Sequence, residues 1–238
     1  MGRGVTGLIL KALRADDYVF TVVSKERVND HFHRIRFSGE GFLAGHPWYP
    51  TMWVRLWIPK SGAASADDDE GTLVQRGYTI VEPDGDEFTI EFAVHDGPAP
   101  RWAVDAEPGD TIGATLMGSN FDFPETPPTE YVLVGDAASL PAINSLLDAA
   151  NAPARVFLEY QHEQERELPV RGGEVTWVPR TDRGAGLVDA VAAAGVRPDA
   201  FVWVAAESRA TRESVKAAKR QATLAKTHVK SQAYWLDR

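Results

Sequence analysis

Two patterns of hydrophobic and polar positions divide the chain. In the first half, Tyr18 to Val28, His33 to Phe37, Trp53 to Pro59, Gln75 to Glu82 and Glu87 to His95 carry β-branched or aromatic residues bounded by turn formers, which predicts strands. Asp84-Gly85 between the last two reads as a tight hairpin, and Pro108-Gly109-Asp110 before Ile112-Gly113-Ala114 adds a turn and a strand. After Pro124 to Pro128 the pattern changes. Tyr131-Val132-Leu133-Val134-Gly135-Asp136 is a continuous apolar run ending in a turn, and Leu140 to Ala150 then reads as helix. Arg155 to Tyr160, Glu174 to Val178 and Phe201 to Ala205 are further short strands, separated by helical or loop segments such as Gly186 to Ala194 and Arg209 to Ala225. This alternation predicts a parallel sheet covered by helices. The expected organisation is a β-rich domain over 1–126 and an α/β domain over 127–238, and 238 residues suffice to give each its own core.

Composition removes several function classes. A net charge of −9 with no long basic stripe argues against a nucleic-acid surface. The absence of cysteine excludes disulfides, thiolate metal sites, iron–sulfur clusters and cysteine nucleophiles. The histidines at 31, 33, 46, 95, 162 and 228 form no helical metal-binding pair, and Asp67 to Glu70 lacks the spaced ligands and the glycine of a calcium loop, so Ser61 to Gly71 is expected to be a mobile acidic loop. No resident metal is expected. No apolar run approaches the roughly 20 residues of a membrane span, and Val5 to Leu13 is interrupted by Gly7 and Lys11. The expectation is a cytoplasmic protein without stable membrane insertion.

Candidate chemistry concentrates in two segments of the first half. Gln75-Arg76-Gly77-Tyr78-Thr79-Ile80 places a cation for phosphate oxygens, an aromatic plate and a hydroxyl on one strand. Strand alternation puts Arg76 and Tyr78 on one face and Thr79 on the other, so either Thr79 acts through its backbone, the favoured expectation, or the strand bends there. The second segment is His95-Asp96-Gly97-Pro98-Ala99-Pro100-Arg101-Trp102, where small residues permit close approach of backbone amides and Pro98 can open a helix whose positive end faces a phosphate. Together they point to a flavin. Each segment taken alone reads first as ordinary structure, an edge strand and a turn before a short helix, and only the pair favours the ligand reading.

The ordered set of motifs resembles the siderophore-interacting protein family, the flavin-dependent ferric-siderophore reductases. Arg76-Gly77-Tyr78-Thr79 resembles its R-x-Y-T, the segment His95 to Ala103 its histidine followed by G-P-A-S-x-W-A, and Gly135 to Ile143 its G-D-E-T-A-L-P-A-I. Trp203 to Ser208 resembles W-V-A-G-E-S, and Tyr234-Trp235 stands where the family has its terminal G-Y-W. The matches run in order from about residue 18 to the end. The resemblance implies an antiparallel six-stranded, ferredoxin reductase-like β-barrel that binds FAD, followed by a Rossmann-like α/β domain that presents NADPH or NADH. It implies electron flow from nicotinamide to flavin to a ferric siderophore. The cofactor-contacting positions carried over are Arg76, Tyr78, Thr79, Val94, His95, Gly97, Pro98, Ala99, Trp102, Gly135, Asp136, Leu140, Pro141, Glu207, Tyr234 and Trp235. Arg55, Lys230 and Arg238 are the candidate cations for an anionic ferric complex. No side chain is expected to be catalytic, because the flavin carries the redox chemistry.

This chain departs from the family pattern at informative places. The arginine two positions after Y-T is Val81, and the serine of G-P-A-S is Pro100, which has neither hydroxyl nor amide hydrogen. The E-T of the nucleotide loop is Ala137-Ala138, and the glycine of A-G-E is Ala206. Lys216, Lys219 and Arg220, at helical spacing, are candidates for a 2′-phosphate or for a solvated basic face. Two alternatives follow: a siderophore- or flavin-binding protein with eroded nucleotide sites, and a general flavin reductase serving a protein partner.

Overall fold

Alternating apolar residues need a surface to bury, and the first half supplies it by closing on itself. The computed structural model describes residues 17–60, 73–117 and 122–237. It divides into two units, Met1–Asn120 and Phe121–Arg238. In the first, β1 (Asp17–Asn29), β2 (Phe32–Ser38), β3 (Trp53–Pro59), β4 (Leu73–Asp84), β5 (Glu87–Ala93) and β6 (Thr111–Leu116) form a closed barrel in the order β1-β2-β5-β4-β3-β6, with every pairing antiparallel. Period-two alternation sends Phe20, Ile35, Phe37, Val54, Leu56, Ile80, Phe88, Ile90 and Phe92 inward, all fully buried. Register shifts within β1 supply the bending that closure requires.

Among the described residues, two helices complete this unit. The one-turn α1 (Phe42–Gly45) places Phe42 edge-on to Phe20, with ring centres 5.2 Å apart. The longer α2 (Pro98–Asp105) connects β5 to β6 and buries Ala99, Trp102 and Ala103 in the barrel core. Trp102 lies parallel to Phe37 at 6.3 Å and 9°. Between β4 and β5 the turn residues are Gly85-Asp86, one position later than expected, because Gly85 takes the left-handed conformation at φ 60°. The expected loop Ser61 to Gly71, the Val5 to Leu13 stretch and Arg238 lie outside the described residues.

In the second unit, β7 (Glu130–Asp136), β8 (Ala154–Tyr160), β9 (Glu174–Pro179), β10 (Ala200–Ala205) and β11 (Val229–Ser231) form a five-stranded sheet in the order β11-β10-β7-β8-β9. All pairings are parallel. The continuous apolar runs are explained by burial on both faces: β7 and β10 have every residue buried. The crossovers are α3 (Leu140–Ala149), α4 (Ala185–Ala192) and α5 (Ser208–Gln221). The order of strands reverses direction at β7, which creates a switch point beside its carboxyl end.

Candidate functional site

The first unit offers an opened strand edge. The ladder between β4 and β5 runs from the turn to Val81↔Thr89 and Ile80↔Ile90 and then stops, while β4 continues to Leu73 paired, among the described residues, only with β3. Arg76, Tyr78 and Thr79 all lie in that single-sided stretch. A strand edge without a ladder partner presents backbone donors and acceptors to a ligand. The Tyr78 ring is half-buried, 4.5 Å from Phe92 on β5, and burial pushes its phenol well above the usual range. Phe92 is three residues before His95, so this contact ties the two candidate segments together.

Arg76 is exposed, and its Nη1 donates to the neighbouring Gln75 carbonyl at 2.9 Å. No carboxylate pairs with it among the described residues, so its guanidinium is available to an anion. Thr79 is buried and opposite Trp53, on the other face from Tyr78. Gly77, between the arginine and the tyrosine, lies close under Trp53: a Cβ there would stand 3.0 Å from that ring, so in this chain a side chain at 77 would have to push the ring aside. Arg55, directly across from Gly77, has its guanidinium 6.0 Å from the centre of that ring. Arg55 thus shares the face of Gly77 and Thr79, and the register separates it from Arg76 and Tyr78.

The second segment places His95 at the surface, its ring folded over Gly97, where an added Cβ would meet Cε1 at 3.0 Å. Gly97 precedes α2 and no side chain caps the helix. Pro98 and Pro100 have no N–H, so the first turn offers fewer amides than an ordinary helix start. The Val94 amide donates to the His31 carbonyl at 2.8 Å. Ala99 and Trp102 are almost fully buried. These two expected contacts are packing positions whose side chains fill the barrel, since a ring stacked within a core has no face left for a ligand. Val81 is likewise buried, at 4 % exposure, so an apolar contact occupies the place of the expected cation.

FAD requires a cation for its pyrophosphate, an aromatic surface and backbone groups for its ring. The open β4 edge, the available Arg76, the Tyr78 ring and the uncapped helix start after Gly97 meet those needs. The Pro100 departure weakens only the helix contribution.

In the second unit the carboxyl edge of the sheet carries the remaining candidates. Gly135 is sterically obligatory, because a Cβ would stand 2.0 Å from Ser139 Oγ and 2.9 Å from the Ala205 carbonyl. Asp136 N–H donates to Ser139 Oγ at 2.9 Å, and Ser139 N–H donates back to Asp136 Oδ1 at 3.2 Å. Trp235 Nε1 donates to the other oxygen, Oδ2, at 2.7 Å. Burial nevertheless pushes the Asp136 carboxyl above the usual range, against these hydrogen bonds. Leu140 and Pro141 are buried at the start of α3 and serve its packing. Glu207 caps α5, accepting from Arg209 N–H at 2.5 Å and Ala210 N–H at 3.0 Å. Its carboxylate is therefore a helix cap first.

The C-terminal strap passes over this edge. Tyr234 N–H donates to the Ala206 carbonyl at 3.0 Å, and Ser208 N–H donates to the Trp235 carbonyl at 2.9 Å. Three residues that sequence reasoning missed complete the cluster: Arg180, after β9, pairs with Glu159 at the end of β8 and with Asp237 at 2.9 Å. The same guanidinium lies 4.6 Å from the centre of the Trp235 ring. Lys230 is half-buried on the edge strand β11. Lys219 and Arg220 occupy the last turn of α5, which runs back from the carboxyl edge over about 20 Å, so they cannot serve a phosphate bound there. A cavity of about 580 Å³ lies at the opposite, amino edge, and its arginines at 155, 171 and 197 each pair with a carboxylate.

Comparison with known proteins follows this division. Residues 21–118 match the family model described as a siderophore-interacting FAD-binding domain, and residues 128–238 match that described as siderophore-interacting protein. The chain is 33 % identical over 247 residues, all of it covered, to the mycobactin import ATP-binding/permease protein IrtA of Mycolicibacterium smegmatis, spanning 28 % of that protein's length. It is 26 % identical over 161 residues to the ferric vibriobactin reductase ViuB of Vibrio cholerae, covering 60 % of this chain and 59 % of that one. The siderophore-interacting protein SipS from Aeromonas hydrophila superposes with a TM-score of 0.76 at 24 % identity, over 93 % of this chain and 92 % of that one. With a family model on each unit, in the order of the motifs, the chain belongs to the siderophore-interacting protein family.

Proposed function

We propose that the chain is an FAD-dependent reductase that takes electrons from NADH or NADPH and passes them to ferric siderophores. The observation that carries this reading is the opened β4 edge with an unpaired Arg76 beside the Tyr78 ring. Arg76 holds the flavin pyrophosphate, Tyr78 bounds the ring, and the Thr79 backbone meets its polar edge. His95 and Gly97 approach the phosphates from the start of α2. Bound FAD supplies the conversion from a two-electron donor to a one-electron acceptor. The second unit presents the nicotinamide nucleotide at its carboxyl edge, around Gly135 and Asp136. Reduction to ferrous iron loosens a hard-oxygen chelate, which releases the metal. Arg55 in the first unit and, separately, Lys230 in the second are candidate positive charges for an anionic complex, and the ferric reductase name of one relative supports the same substrate class.

A second reading is a binding protein of this fold without turnover. Pro98 and Pro100 at the start of α2, and the Trp235 cover on Asp136, favour it. Anaerobic stopped-flow on the FAD-loaded protein separates the readings. Bleaching by NADH or NADPH followed by recovery of the oxidised spectrum with a ferric siderophore supports the reductase. Absence of bleaching supports the binding protein, and bleaching without recovery by any ferric chelate supports a general flavin reductase.

A further inference from the structure

The carboxyl edge of the second unit holds a carboxylate with no evident structural reason to be half-satisfied. Glu159 is 2 % exposed at the end of β8, the strand that follows the first β–α turn of this sheet. One of its oxygens pairs with Arg180. The other, Oε1, has no hydrogen-bond partner among the described residues. Gly184, at φ 87°, packs beside it: a Cβ there would stand 3.4 Å from Oε1 and 2.7 Å from Ala210 Cβ, so only glycine fits next to this oxygen.

In an open α/β sheet the dinucleotide lies across the carboxyl ends of the strands. Its pyrophosphate meets the first β–α turn, and its adenosine ribose meets a side chain at the end of the next strand, some 20 residues later. Gly135-Asp136 and Glu159 occupy those two positions. A carboxylate there accepts from a ribose 2′-hydroxyl and repels a 2′-phosphate, which carries about two negative charges. Arg180 does not reverse that preference, because Glu159 and Asp237 both claim its guanidinium. Burial first, and then Asp136 and Glu207, push the Glu159 carboxyl above the usual range, while the hydrogen bond and charge of Arg180 favour its ionised form.

Resting on the reading of the second unit as a nicotinamide-nucleotide domain, we propose that Glu159 is the ribose acceptor and makes this chain select NADH against NADPH. Trp235 covers the site. Its ring is held by one hydrogen bond to Asp136 and by the stack on Arg180, so an entering nucleotide displaces the side chain to reach Oε1.

Calorimetric titration of the FAD-loaded protein with NAD+ and with NADP+ tests this, since neither ligand turns over. The expected result is binding of NAD+ about tenfold or more tighter than NADP+, with the ratio narrowing to about threefold or less in Glu159→Gln, which keeps an acceptor and removes the charge. Equal or tighter binding of NADP+ by the unaltered protein overturns the proposal while leaving the nucleotide reading intact. So does an unchanged ratio in a Glu159→Gln protein whose melting curve shows it folded. If neither nucleotide binds, the nucleotide reading falls and this proposal with it.

Discussion

Arg76 is the residue on which the flavin reading depends most directly. Its guanidinium is exposed and free of ion pairs among the described residues, so Arg76→Gln should leave the melting temperature unchanged. FAD affinity should fall by about 10- to 100-fold, the loss of a charge-assisted hydrogen bond. Fluorescence titration with FAD measures it, and an unaltered affinity would remove Arg76 from the site. His33 makes a different prediction. It shares the inward parity of Ile35 and Phe37, is 6 % exposed, and its Nδ1 has no partner. Burial first, then Arg27 and Lys25, lowers its pKa below 6.5 in the folded state. Above pH 6.5 both states hold it neutral. As pH falls through 6.5 the unfolded chain takes up a proton that the folded chain resists, so stability declines from there down to the folded pKa. His33→Leu should flatten that part of the pH profile in denaturant titrations. An identical slope in the variant would assign the decline to other groups.

At the scale of elements, the long periodic segments were legible in the sequence. Barrel strands alternate and central parallel strands do not, and those two patterns placed nearly every strand and the three crossover helices. The three-residue β11 and one-turn α1 were not legible, because neither is long enough to show a period. Lys216, Lys219 and Arg220 were correctly set on a helix, yet the sequence carries no sign of which end of α5 faces the carboxyl edge. Trp102 shows a related limit: an aromatic residue inside a ligand motif and one inside a core have the same letter. The Arg180 cluster joins residues 21 and 57 positions apart, a pairing that only the fold creates. One element-level test follows from the α5 cap. Glu207→Ala removes the acceptor of two helix-end amides and should cost about 1 kcal/mol in denaturant unfolding, and no loss would show that water replaces the cap.

For the whole molecule, the proposed function assigns separable parts of one activity to the two units, and the motifs speak more firmly to the architecture than to the turnover. The family's ordered motifs survive where they shape the backbone: Gly135 under Ser139 and Pro98 at the head of α2. They change where they supply donors, at Val81, Pro100 and Ala137-Ala138. Whether FAD still binds is therefore the central question for function. The direct measurement is the visible absorption spectrum of the purified chain before and after addition of FAD and removal of the excess. A retained flavin band, perturbed from that of free FAD and present at about one flavin per chain, is the predicted result. A protein that keeps no flavin even after incubation with high FAD would contradict the assignment of Arg76, Tyr78 and Thr79 as a cofactor site, and with it the reductase.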